Sequence, residues 1–127
     1  MASDNKQHIK VLAESLYLEN QSDVEEHRFV FAYHIRISNL SNEPVRLIGR
    51  HWIIADADNQ IQEVKGKGVI GEQPRLNPGE MFEYSSGTVL TTPVGTMRGS
   101  YQMQTDDGQL FEAEIPEFLL SAPRVFH

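Results

Sequence analysis

The motif Gly66-Lys67-Gly68-Val69-Ile70-Gly71 fits G-x-G-x-x-G. In a dinucleotide-binding fold such glycines permit a tight turn and the close approach of a pyrophosphate, whose charge rests at a helix N-terminus. That chemistry needs a strand before the motif and a helix after it. A short strand can precede it here, but Pro74, Pro78 and Gly79 break any helix behind it, so the dinucleotide reading fails. Two readings stay open. In one, the glycines serve backbone geometry, adopting left-handed conformations or packing closely on a neighbour. In the other, backbone N–H groups of the loop form a nest for an anion. Lys65, Lys67 and Arg75 would then add positive charge within an acidic chain, and the ligand would be a nucleotide or pyrophosphate.

The other chemistry-bearing residues converge less. His8, His27, His34, His51 and His127 are dispersed, with no H-x-x-x-H or H-E-x-x-H pair, so no metal site is expected. Asp56-Ala57-Asp58-Asn59 begins like a calcium loop. It then has Ile61 at the position of the sharp-turn glycine and Lys67 at that of the bidentate glutamate, and reads as a turn. The absence of cysteine excludes a thiolate nucleophile, a disulfide framework and a cysteine-rich zinc site. No G-x-S-x-G elbow occurs, and Tyr84-Ser85-Ser86-Gly87 reads as the close of a strand. Glu112 and Glu114 alternate with apolar residues, as a solvated strand face does. No catalytic residue and no cofactor is therefore expected.

Arg50-His51-Trp52 is the remaining constellation. By strand parity Arg50 and Trp52 face the same way as Ile48 and Ile54. They read either as a core tryptophan with Arg50 at its edge or as a binding face, since Trp and Arg anchor interfaces. The tail after Pro116 carries Phe118, Leu119, Leu120, Val125 and Phe126. These either pack onto the domain or pair with an edge strand, or form an exposed peptide or an inter-subunit arm.

These residues must be positioned by extended chain. From His27 to Ser38, Phe29, Phe31, Tyr33, Ile35 and Ile37 fall on one face of a period-two pattern, and a helix would scatter them. A first strand over residues 8–18 mixes parities, which a bulge or a strand that switches sheets would explain. Further strands are expected at Val45–Ala55, 60–65, Met81–Ser86, 97–104 and Phe111–Ile115, with a Thr91-Thr92-Pro93 loop within Gly87–Gly95 and Pro116 as the end of the last strand. The predicted fold class is all-β, an immunoglobulin/fibronectin type III-like β-sandwich of about seven antiparallel strands.

A chain of 127 residues with 39% hydrophobic and 23% charged residues fits one globular domain. Its formal charge of −7 argues against nucleic acid as a partner. The N-terminus has no signal-peptide pattern, and no run approaches the roughly 20 apolar residues that cross a bilayer. Cytoplasmic location without direct membrane insertion is the expectation.

A family resemblance rests on Phe31-Ala32-Tyr33, Leu47-Ile48-Gly49-Arg50-His51-Trp52, the run Gly66 to Pro74, Pro78-Gly79-Glu80, Tyr84-Ser85-Ser86-Gly87, the run Thr92 to Met103, Ile115-Pro116 and His127. Their order and spacing make the sequence resemble the ApaG family over residues 8–127, with residues 1–7 as a flexible N-terminus. The resemblance implies a β-sandwich in a bacterial, cytosolic setting. It also implies a protein-binding role and an association with magnesium and cobalt efflux or resistance. The expected function is a non-enzymatic module that binds a protein partner. Its interaction surface would draw on Arg50, His51, Trp52, Phe118 and Phe126. The alternative is a small phosphate or nucleotide sensor built on Lys65, Gly66, Lys67, Gly68, Gly71 and Arg75. Both a monomer and a dimer are compatible with the sequence.

Overall fold

The structure is a computed structural model and describes residues 8–123. The expected flexible N-terminus at 1–7, and Phe126 and His127 of the tail, lie outside the described residues. The strands are β1 (Ile9–Tyr17), β2 (Phe29–Asn39), β3 (Val45–Asp56), β4 (Ile61–Lys67), β5 (Arg75–Leu76), β6 (Met81–Leu90), β7 (Val94–Thr105) and β8 (Leu110–Ser121). Seven are long; β5 is a two-residue addition to the expected set.

All the strand pairs are antiparallel. One sheet has the order β1-β2-β6; the other runs β4-β3-β7-β8, with β5 pairing the start of β3. Consecutive strands change sheets after β2, β5, β6 and nowhere else. This is the immunoglobulin/fibronectin type III-like sandwich expected from the alternation.

The inward face of β2 supplies Phe29, Phe31, Tyr33, Ile35 and Ile37, all buried. They meet Val45, Leu47, Trp52 and Ile54 of β3, Met97, Tyr101 and Met103 of β7, and Ala113 and Ile115 of β8 in one hydrophobic cluster. Tyr84 of β6 and Tyr101 of β7 join the two sheets through a buried hydroxyl–hydroxyl hydrogen bond of 2.5 Å. Burial drives both phenols well above the usual tyrosine range, so both stay neutral and the bond carries no charge.

Three expectations are corrected. β1 contains no bulge: its register with β2 runs unbroken from Ile9↔Asn39 to Tyr17↔Phe31. Its mixed parity arises because Leu12 and Leu16 sit on the solvent face, with Leu16 64% exposed. β6 does not stop at Ser86 but runs on through Gly87–Leu90, paired with β2 as far as Phe29↔Leu90. Pro116 does not end β8. The register with β7 shifts between Met97↔Phe118 and Gly99↔Ile115, so Pro116 and Glu117 together oppose Arg98. A bulge on an edge strand is where a residue lacking an N–H is tolerated. The strand resumes, carrying Phe118 and Leu120 back to the interior.

A second bulge lies in β3, where Leu47 pairs Met103 and Gly49 pairs Gln102, leaving Ile48 unmatched. It reverses which parity faces inward: Val45 and Leu47 are buried before it, Trp52 and Ile54 after it. The turn from β2 to β3 is organised by Asn39, which is fully buried. Its amide nitrogen donates to the carbonyls of Glu43 and Leu76, and its side-chain oxygen accepts from the Ser41 backbone N–H and hydroxyl. Every polar atom of that amide is satisfied, as burial demands.

Burial separates side chains that look alike in the sequence. Phe31→Ala should lower unfolding free energy by about 3–5 kcal/mol. Leu16→Ala, on the same pair of strands, should change it by less than about 0.5 kcal/mol. Urea denaturation of the two variants checks this; a similar loss in both would contradict the assigned faces.

Candidate functional site

The glycine loop connects β4 to β5, and no helix follows it. Gly66 lies across from Arg50 in the β3–β4 register. The Arg50 guanidinium covers its α-carbon so closely that an added Cβ would sit 2.6 Å from Cζ. The same guanidinium donates to the carbonyls of Lys67 at 3.2 Å and Gly68 at 2.9 Å. Gly68 has φ +64, and a Cβ there would meet the Glu72 carbonyl oxygen at 2.2 Å, so both conformation and space demand glycine. Gly71 has φ +81 but open surroundings. The N–H groups of Gly68, Val69 and Glu72 are already bonded, to Ile48, Glu72 and Val69 carbonyls.

The charged residues of the proposed anion loop are divided. Lys65 and Lys67 are exposed on the outward side of β4. Arg75 is engaged: its Nε and a terminal nitrogen reach both Asp106 carboxylate oxygens, at 3.1 and 2.5 Å, and its other nitrogen donates to Asn77 at 3.0 Å. This fork-to-fork pairing holds the Asp106 carboxyl below its ordinary range.

Arg50, His51 and Trp52 also separate. Trp52 is 2% exposed and packs edge-on against Tyr33 at 5.3 Å and Phe118 at 5.9 Å. Its indole N–H is buried without a hydrogen-bond partner. Phe118, half-buried, thus closes the core beside Trp52 rather than forming a free arm. His51 points the opposite way and bonds Glu63 at 2.7 Å, which keeps that carboxyl below the usual range.

A constellation that sequence reasoning missed lies on the outer face of the three-stranded sheet. His34 Nε2 is 2.7 Å from Glu83, and its Nδ1 is 2.9 Å from the Ser85 hydroxyl. A carboxylate only accepts, so Nε2 donates to Glu83, and in the neutral ring Nδ1 accepts from Ser85. This is the connectivity of an activated serine. It stands on an open sheet face, however, with His34 39% and Glu83 36% exposed at the side chain. Acyl transfer also needs donors aimed at the developing oxyanion, and β2, the central strand, spends its backbone on β1 and β6. The set reads as a fixed polar array flanked by Leu12 and Leu16 rather than a working nucleophile. Its signal in the sequence was the spacing of Glu83 and Ser85 on one strand face; what was missing was the register that sets His34 opposite Ser85. Among the described residues no three His, Asp or Glu side chains are grouped to hold a metal ion.

A concave feature lies between two strand edges. Among the described residues β1 pairs only β2, and β8 pairs only β7, so each ends its sheet with an edge that no described strand pairs. The two edges touch at one end, where the Ser15 hydroxyl donates to the Leu119 carbonyl at 2.8 Å. Towards the other end they part. There Ile9–Val11 of β1 face Phe111–Glu114 and Pro116 of β8 across a cleft of about 860 Å³.

Comparison with known proteins places this architecture. The family described as DUF525, the ApaG domain, matches residues 19–105, which is more than half of the chain. The chain belongs to the ApaG family. The proteins named ApaG from Thiobacillus denitrificans and Aromatoleum aromaticum are 57% and 55% identical to it over 127 residues, covering all of each chain. A crystal structure of a Bordetella pertussis protein labelled ApaA is 49% identical, with a TM-score of 0.89 over 92% of this chain and 95% of that one. An X-ray structure of a structural-genomics target is 42% identical, again with a TM-score of 0.89, over 96% and 92%. The ApaG domain match spans β2 to β7, including the glycine loop and Arg50-His51-Trp52. The edge strands β1 and β8 lie outside it, although the full-length ApaG relatives cover them.

The Arg75–Asp106 pair fixes a pH dependence. A carboxyl whose folded pKa is depressed contributes stability above its unfolded value and loses it as pH falls through the folded one. The stability advantage of the native chain over Asp106→Asn should therefore be full at neutral pH. It should vanish as pH drops below the ordinary aspartate value of 3.8. Urea midpoints of both chains across that range test it, and an advantage that persists in acid would contradict the pairing.

Proposed function

We propose that this ApaG-family chain is a non-enzymatic interaction module of the cytoplasm that takes up an extended segment of a protein partner in the β1/β8 cleft. The observation that carries this is the pair of unpaired strand edges facing each other across the cleft. A free edge presents a row of backbone donors and acceptors, and strand addition is the recognition mode that uses them. The cleft also has the size of a ligand site, which is about 300–1,000 Å³. Of its apolar lining Val11, Phe111 and Ala113 are already buried and Ile9 is partly exposed, so the added strand is held chiefly through its backbone. Any part in magnesium or cobalt handling, as the family resemblance implies, would run through such a partner. Among the described residues no helix is long and apolar enough to cross a membrane.

A second reading, an anion sensor at the glycine loop, draws support from the two exposed lysines on one side of β4, Lys65 and Lys67. The engagement of Arg75 with Asp106 and the bonded amides of the loop weigh against it. One experiment separates the two. Backbone amide shifts of the labelled protein are followed against a library of extended peptides, then against pyrophosphate and ATP with and without magnesium. Peptides should perturb residues 9–11 and 110–115 and protect the β8 amides from exchange. Shifts confined to residues 65–75 on adding pyrophosphate, with no response to any peptide, would replace the module by the sensor.

A further inference from the structure

The two walls of the cleft restrict what can lie in it. On β8, Phe111, Ala113 and Ile115 are buried, whereas Glu112 and Glu114 are exposed. A strand added beside β8 continues the same pleat, so its side chains must alternate in step. One set falls beside Glu112 and Glu114; the other turns towards Ile9 and Val11 of β1. Directly across β7 the glutamates oppose Gln102 and Ser100 and not a cation. Neither makes an ion pair among the described residues. Among the described residues Lys10 is the only cation lining the cleft, against Glu112 and Glu114, on a chain that is itself acidic.

Opposite charges on directly neighbouring strands attract and like charges repel. Resting on the strand-addition reading above, we infer that the partner segment is an extended stretch in which Lys or Arg alternates with branched or aliphatic apolar residues. Its basic side chains pair with Glu112 and Glu114, and its apolar side chains fill the cleft. The stretch Leu110 to Ile115 is roughly 20 Å long at about 3.3 Å per residue, so such a segment is short. The chain's own β4 carries outward Lys65 and Lys67 on either side of Gly66. It is not the occupant: Gly66 offers no side chain to the cleft, and its face is taken by Arg50. The contact between Ser15 and Leu119 also closes the far half of the edge to a whole sheet.

The test uses the full chain and three fluorescently tagged heptapeptides. One alternates Lys with Val, one alternates Glu with Val, and one has the first composition with its lysines and valines in separate blocks. Anisotropy should show the alternating Lys/Val peptide binding at least about tenfold more tightly than either other peptide. Its affinity should fall with added salt. The double variant Glu112→Lys, Glu114→Lys lies on exposed positions and should keep the fold by circular dichroism. It should reverse the preference between Lys/Val and Glu/Val. Equal binding of the Glu/Val or block peptide would overturn the charge and alternation rule while leaving strand addition standing. Failure of every peptide to bind or to shift the β8 amides would overturn both. Concentration-dependent self-association that Glu112→Lys abolishes would assign the edge to a second copy and overturn the inference.

Discussion

Five side chains of one strand, Phe29 to Ile37 on the inward face of β2, enter the space between the sheets, and the rest of the molecule is arranged to keep them dry. β2 is the middle strand of its sheet, so both of its edges are paired and its ridge is rigidly placed. Opposite it, β3 and β7 contribute their own buried residues. The hydrophobic effect scales with the apolar area removed from water, and this ridge sets five large side chains of one strand into the core. The hydroxyl bond between Tyr84 and Tyr101 then fixes how the sheets meet, because two buried phenols without each other would lack partners.

Two bulges adjust the outer strands to that ridge. The extra residue Ile48 turns the second half of β3 so that Trp52 and Ile54 enter the core and His51 faces solvent. The Pro116–Glu117 bulge does the same for β8, bringing Phe118 against Trp52 and Tyr33. Each bulge reverses the sidedness of everything after it, since strand periodicity is two. The aromatic cluster of Tyr33, Trp52, Tyr101 and Phe118 therefore depends on single-residue insertions in two strands.

The same construction decides what is left outside. A sandwich of open sheets must end in edges, and here two of them, β1 and β8, lie side by side. Ser15 ties them together at one end, and a cleft lies between them at the other. The opposite flank behaves differently. There Arg50 lies over Gly66 and bonds the carbonyls of Lys67 and Gly68, clamping the glycine loop to β3. The glycines of that loop answer to the guanidinium above Gly66 and to the carbonyl beside Gly68.

Much of this was legible in the sequence, because alternation is a local property. The β2 ridge, the turns, the all-β class and the solvated glutamates of β8 follow from residue types at spacing two. So does the failure of the dinucleotide motif, since prolines forbid the helix it requires. The family could be read from the order of short motifs along the chain. What the sequence left undetermined concerns register and pairing. No local pattern says that His34 lies opposite Ser85, that Arg75 is spent on Asp106, or that Ile48 and Pro116 are bulges and not an ordinary residue and a stop. Nor does it say that β1 and β8 end up as neighbouring edges. Those facts depend on contacts between residues far apart in the chain, and only the packed sheets bring such residues to one place.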